Sequence, residues 1–302
     1  SIRLIIFARR CNRLKIKTAI IFHLAECHIV AKFCGFMIST LPNIKVIIYL
    51  HQSRELFPRK ISWITESLIC KYESICYSES ATKSWFSNPT LGICKKTIIH
   101  NPVGIKGLGY RNPQGDTLNL LFIGRFTPWK RPDMAIAIAS KLAGFTQVNL
   151  KIVGFNKSDF VGHYGEIDES NSSLSIEFLG SVSDVVPMLQ GSDLLLNLAE
   201  SDLSGECIGI AALESLSLGV PVLVQNCNMS DFQNMPGIYS LVDFESLTTK
   251  MLEDTQPTKL FRNSFKIAPE VRVSWEEKTS LDRYNKQLLL LLHDSLDETR
   301  CP

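Results

Sequence analysis

The chain has 302 residues, 45% of them hydrophobic and 21% charged, which is enough to build two cores of ordinary domain size. Its net charge of +2 carries no global signature of nucleic-acid binding. Nine cysteines are scattered with no C-x-x-C pair, which argues against a zinc site and a disulfide framework and suits a reducing cytosol.

The chain opens on Arg3, Arg9, Arg10, Arg13, Lys15 and Lys17, interleaved with Ile2, Leu4, Ile5, Ile6 and Phe7; the first acidic residue is Glu26. This stretch reads either as a basic amphipathic helix lying on an anionic membrane or as a solvated helix of the first domain. No apolar run reaches the roughly 18 residues of a spanning helix. Thr18 to Phe22 reads as a buried strand running into His23, and 25–39 as a helix. Lys45 to Leu50 reads as a second strand ending at His51, followed by a helix over 59–72. Ser74 to Tyr77 and Thr97 to Ile99 are the next strands, the latter running into His100-Asn-Pro-Val103.

A glycine-loosened approach, Gly104 to Gly109, leads to a candidate linker at Pro113-Gln-Gly-Asp116. A second α/β series follows. Leu118 to Ile123 is predicted as a strand, then comes Gly124-Arg-Phe-Thr-Pro-Trp-Lys130, then a helix over 133–142. Val148 to Val153 is a strand ending at Gly154. Residues 155–173 read as a polar loop, Ser175 to Leu179 as a strand, Asp184 to Gln190 as a short helix, and Asp193 to Leu198 as a strand. The run from Glu206 to Leu218 reads as a helix stopped by Gly219, with a strand over 220–224. Tyr239 to Val242 is expected to close the sheet, and Trp275 to His293 to form one long helix. Alternating strands and helices predict parallel sheets with right-handed crossovers. Two domains are expected, 1–112 and 113–302, with the final helix packing back toward the first.

Two features carry chemistry. Glu206 and Glu214 stand eight residues apart, separated by Cys207, Ile208, Gly209 and an apolar run. On one helix they would share a side at a separation of roughly 12 Å. The free N–H groups at that helix start suit a phosphate. A ligand with hydroxyls at both ends and phosphate in the middle, such as a nucleotide-diphosphate sugar, fits this arrangement. The bland reading is two solvated helix glutamates. The second feature is Gly124-Arg125 at a strand end, with Lys130 five residues on. These place two cations at the carboxyl edge of a parallel sheet, where open α/β sheets bind ligands.

The order Glu206, x-x-Gly, apolar run, Glu214, Gly-Val-Pro-Val resembles the paired-glutamate motif of the family-4 retaining glycosyltransferases, and Gly124-Arg125…Lys130 resembles that family's donor-diphosphate site. Gly154 and Gly180 also fall in the family's order, and the resemblance extends over about 17–290. It implies a fold of two Rossmann-like domains of GT-B type. It also implies that Glu206 contacts the transferred sugar, that Glu214 holds the ribose, that Arg125 and Lys130 hold the diphosphate, and that His51 faces the sugar. Cys207 and Ile208 depart from the family's usual glycine and aromatic residue. No glycine-rich loop precedes His23, so the first domain is expected to be incomplete, short of about three strands. Asp-x-Asp does not occur, and the family typically works without a bound metal, so no cofactor or metal is expected.

The activity implied is retaining transfer of a sugar from a nucleotide-sugar donor to a glycan or lipid-linked acceptor. The setting implied is bacterial surface polysaccharide assembly, at the inner face of the cell membrane, with no nucleic acid involved. Two alternatives stand beside it: a nucleotide-sugar epimerase of the same fold, and a truncated remnant that binds nucleotide without turnover.

Overall fold

The structure, a computed structural model, describes residues 13, 18–23, 44–50, 66, 73–76, 82, 86, 92, 94–105, 115–200, 209–225 and 236–297. The chain divides into two compact units. One is Ser1–Pro102 with Leu281–Pro302, and the other is Val103–Ser280. The sequence-expected boundary at 112/113 falls outside the described residues.

The first unit contains a four-stranded parallel sheet of β1 (Thr18–His23), β2 (Ile44–Leu50), β3 (Glu73–Cys76) and β4 (Lys96–Ile98), in that spatial order. β2 is rich in β-branched apolar residues, as a covered strand should be, and β3 is covered as well. Ile47, Ile48, Leu50, Ile75 and Cys76 are all buried. The predicted helices over 25–39 and 59–72, and His51 immediately after β2, lie outside the described residues apart from Glu66.

The second unit is doubly wound. Its strands are β5 (Thr117–Ile123), β6 (Gln147–Val153), β7 (Leu174–Gly180), β8 (Leu194–Asn197), β9 (Val222–Val224) and β10 (Ile238–Ser240). All pair in parallel, in the order β10-β9-β8-β5-β6-β7. The chain therefore builds outward from β5 to β7, returns to the other flank of β5 with β8, and continues to β10. β5 is buried on both faces. Leu118, Leu120 and Phe122 enter one core with α1 (Pro132–Leu142), α2 (Lys157–Tyr164), α5 (Leu241–Met251) and α6 (Pro257–Ser264). Leu121 enters the opposite core with α3 (Val186–Gln190), α4 (Ile210–Ser217) and α7 (Pro269–Lys278). At the amino edge of the sheet, buried Asp193 takes Arg262 Nε at 2.6 Å, and the same guanidinium reaches the carbonyls of Gly115 and Thr117. That edge is closed by a structural ion pair, while the carboxyl edge is left to loops.

Four sequence expectations are corrected here. Residues 155–173 are not all loop, because α2 occupies 157–164. Its start is held by the Asp159 carboxylate, which accepts from Asn156 N at 2.9 Å, and its Phe160 is buried against Phe178. The helix carrying Glu214 begins at Ile210, not at Glu206. Its N-cap Gly209 has extended backbone (φ −68, ψ 152), so the eight-residue helical separation of the two glutamates does not exist. The strand expected over 239–242 ends at Ser240. There a capping box with Asp243, Ser240 N to Asp243 Oδ2 at 2.7 Å, turns the chain into α5.

Finally, the single helix expected over 275–293 is two helices, α7 and α8 (Leu281–Asp297). The break has a tertiary cause. Thr279 Oγ1 donates to Trp275 O and bonds Ser217 Oγ, while Thr279 O accepts from Val103 N at 2.7 Å, and Val103 bridges Ser280. The chain thus enters and leaves the second unit side by side.

Candidate functional site

In an open parallel sheet the place to look is outside the carboxyl ends of the strands, where successive connections diverge to opposite sides. Here that point lies between β5 and β8. The connection from β5 leads toward β6 and the connection from β8 leads toward β9.

The β5 side is built on glycine. Gly124 N donates to Val153 O at 3.0 Å, and Gly154 N donates to Gly180 O at 2.7 Å. The ends of three neighbouring strands are therefore laced together by backbone alone. Gly154 has φ +112, and a Cβ there would stand 2.2 Å from Gly124 O, so only glycine permits the approach. Gly124 in turn makes room for Lys130, whose Cδ would lie 2.9 Å from an added Cβ. The lysine stem therefore passes across Gly124, and its Nζ sits 5.0 Å from the Trp129 ring centroid. Arg125 follows Gly124 directly and is exposed. The structure thus brings Gly124, Arg125, Lys130 and Gly154 to one corner: backbone without side chains, flanked by two cations. Such a corner admits a phosphate close to the main chain.

The β8 side carries α4. An added Cβ on Gly209 would lie 3.8 Å from Asn197 Oδ1, which places the helix start at the end of β8. The N-cap, Gly209, has no side chain with which to cap this helix start. α4 buries Ala212, Leu213, Ser215, Leu216 and Ser217 and leaves Glu214 half-buried. Burial pushes the Glu214 carboxyl above its usual value, and the negative charge of Asp184 adds to the effect. The helix ends as the sequence predicts. Gly219 has φ 82, Val220 N reaches Ser215 O at 2.9 Å and Gly219 N reaches Leu216 O at 3.0 Å, the paired bonds of a Schellman cap. Glu206, Cys207 and Ile208 lie outside the described residues, as does His51. The structure therefore groups the β5 residues with one another and places Gly209 and Glu214 on the next connection.

Sequence reasoning overlooked Arg131. Among the described residues it is the non-glycine residue with positive φ (57°), a conformation that costs about 1–2 kcal/mol for a side-chain-bearing residue. Its guanidinium is held by two carboxylates. Nε and Nη2 meet Asp133 at 3.0 and 2.8 Å, and Nη1 meets Glu200 Oε1 at 2.8 Å. Glu200 N also donates to Trp129 O at 2.9 Å, so the two connections are joined twice across the switch point. The Asp133 hydrogen bond, with Glu200 assisting against burial, pushes the Arg131 guanidinium further up. Burial pushes the Asp133 carboxyl up, but Arg131 outweighs it and holds that carboxyl below its ordinary value. The local signal was Arg131-Pro132-Asp133, a residue before an N1 proline that cannot itself be ordinary helix. Glu200, 69 residues away, had no local signal.

Comparison with known proteins adds a partial family match and a likeness of fold. Residues 111–233 match the family described as Glycosyl transferases group 1. The match contains Gly124, Arg125, Lys130, Gly154, Gly209 and Glu214, all the described site residues above. Among solved structures the chain is similar to HepE of Anabaena in complex with UDP, at 15% identity and TM-score 0.71, covering 97% of this chain and 82% of that one. It is also similar to sucrose-phosphate synthase of Thermosynechococcus elongatus, at 13% identity and TM-score 0.67, covering 97% and 77%. The lipopolysaccharide outer core galactosyltransferase WaaB is similar at 15% identity and TM-score 0.63, covering 98% and 78%. At these identities the likeness speaks for fold, and the fold is the GT-B type, built of Rossmann-like α/β units with parallel sheets. No curated protein matches the chain. Among the described residues no group of three or more His, Cys, Asp and Glu is arranged to hold a metal ion, and no helix is long and apolar enough to cross a membrane.

Proposed function

We propose that this protein is a retaining glycosyltransferase of the family-4 kind that takes its sugar from a nucleoside-diphosphate sugar. The observation that carries this reading is the corner at the carboxyl ends of β5 and β6. There Gly154 closes against Gly124 while Arg125 and Lys130 flank the same backbone, all inside the group 1 glycosyltransferase match. HepE of Anabaena, similar in fold, is described in complexes with UDP, with UDP and glucose, and with UDP-glucose.

In this reading Arg125 and Lys130 hold the diphosphate and stabilise the charge that develops on it as the glycosidic bond to the sugar breaks. The start of α4 at Gly209 adds N–H groups to the same task. Glu214 takes the ribose hydroxyls, Glu206 the sugar, and His51 faces the sugar. No covalent nucleophile is assigned. Two cations at the leaving group serve where other transferases use a metal, so transfer proceeds without one. The acceptor is a glycan or a lipid-linked glycan at the inner membrane face, in surface polysaccharide assembly; the fold likeness to a lipopolysaccharide core galactosyltransferase favours that setting.

Calorimetric titration of the purified chain with UDP and UDP-hexoses, followed by donor-hydrolysis and transfer assays with and without chelator, tests the reading. Binding of nucleoside diphosphate is expected, weakened by about 1–3 kcal/mol in Arg125→Ala or Lys130→Ala. Equal affinity in native and both variants would reject the site. Activity abolished by chelator and restored by manganese or magnesium would reject the metal-free mechanism.

A further inference from the structure

Lys130 and the chain that leads to Glu206 stand on different connections, and nothing in the sheet ladder itself fixes the distance between them. β5 and β8 pair from Leu120 and Leu194 as far as Phe122 and Leu196, after which the two connections part. Beyond that point the structure shows two bonds across the gap, Glu200 N to Trp129 O at 2.9 Å and Arg131 Nη1 to Glu200 Oε1 at 2.8 Å.

We propose that Arg131 is a positioning residue. Its guanidinium clamps the connection carrying Lys130 to the connection carrying Glu200, and so holds the two sides of the nucleotide site at one spacing. This rests on the reading of that site given above.

Three features support the clamp. First, the fork is divided, with Nε and Nη2 on Asp133 in the first turn of α1 and Nη1 on Glu200 beyond β8. A planar guanidinium held at both ends fixes an angle as well as a distance, which a lysine ammonium does not. Second, the pair is sheltered, with only 28% of the Arg131 side chain and 29% of the Glu200 side chain accessible, so water screens it less than an ordinary surface ion pair. Third, the turn that presents Lys130 is braced from the other side. Tyr164 of α2 donates to Pro128 O at 3.4 Å, and Arg131 N closes the turn on the same carbonyl at 2.9 Å. The left-handed backbone at Arg131 suits glycine better than arginine, so removing the side chain need not disturb the turn. The clamp and the fold are therefore separable by substitution.

The test uses the full chain as Arg131→Gly and Arg131→Lys, with amide hydrogen exchange and UDP calorimetry. In R131G the melting temperature is expected to stay close to native. The Glu200 amide is expected to exchange about tenfold faster or more, and UDP affinity to fall by about tenfold or more. Methylguanidinium should restore most of that affinity, because it refills the space between Asp133 and Glu200; sodium chloride at equal ionic strength should not. R131K is expected to lie between native and R131G. Unchanged exchange at Glu200 overturns the clamp. Faster exchange with unchanged UDP affinity, or equal recovery with sodium chloride, overturns its positioning role. A native chain that binds no nucleoside diphosphate overturns the reading of the site, and the Glu200 exchange rate still decides whether the clamp exists. Should R131G fail to fold, Glu200→Ala takes its place, since it removes the acceptor of Arg131 Nη1 without touching the turn.

Discussion

At the scale of single residues, Glu214 carries opposed demands. A carboxylate half-buried on α4 and near Asp184 is harder to ionise than one in water. Its folded value is raised above the unfolded one, so its contribution to stability is complete below about 4.5 and is lost as pH rises through the folded value. Glu214→Gln removes that loss. Its melting temperature at neutral pH is therefore expected to exceed that of the native chain, with the difference vanishing at acid pH, while its affinity for UDP falls by about 1–3 kcal/mol. A solvated helix glutamate would show neither change, and paired thermal and calorimetric titrations across pH distinguish the two. Gly154 makes the complementary point. Alanine there must place a Cβ into Gly124 O from a φ of +112. A loss of about 3 kcal/mol or more in denaturant unfolding is expected, together with loss of UDP binding. A mild, binding-competent G154A would mean that the two strand ends do not meet as described.

At the scale of elements, the carboxyl edge of the second unit is shaped by where helices start. Glycine starts α4, an N-terminal proline starts α1, and Ser240 with Asp243 starts α5. The α5 box stands at β10, on the far flank of the sheet from β6, so it separates folding from binding. Ser240→Ala should cost about 1 kcal/mol of stability, read by urea unfolding, and leave UDP affinity unchanged. A shift in UDP affinity with S240A would show that the far flank reports to the site. The division of α7 from α8 is a choice of the same kind. The sequence over 269–297 has no glycine or internal proline to stop a helix, yet Thr279 gives its carbonyl to Val103 and its hydroxyl to Ser217 and Trp275.

At the scale of the whole molecule, the proposed acceptor chemistry asks for a membrane surface. The chain begins with six cations in 17 residues, of which Arg13 is described and exposed. At about 1 kcal/mol each near an anionic surface, they would hold the protein there reversibly. Sedimentation with vesicles containing anionic lipid is expected to carry the native chain at low salt and to release it as salt screens the attraction. A variant with those six residues changed to glutamine should stay in solution. Equal binding of both chains, or none to anionic lipid, would remove this contact and leave the donor site unaffected.

Local patterning was enough to place every described strand within a residue or two, to call the sheets parallel, and to stop α4 at Gly219. Each of these depends on near neighbours: alternation or runs of apolar residues, a glycine where positive φ is needed, a helix between successive strands. The placement of Gly124, Arg125 and Gly154 beside strand ends was legible for the same reason, whereas Lys130, Gly209 and Glu214 were singled out only as members of the two motifs. What the tertiary structure decided are bonds between residues far apart in the chain. Phe160 buried on Phe178 made a helix from a polar stretch, and extended Gly209 detached Glu206 from the helix of Glu214. Val103 broke α7 from α8, and Glu200 gave the Arg131 guanidinium a partner 69 residues away that no sequence period announces. A period records only which face a residue presents. Which partner that face meets is settled when the sheet order is formed, and the partner determines where a helix may begin, where it must end, and which side chain spans the gap.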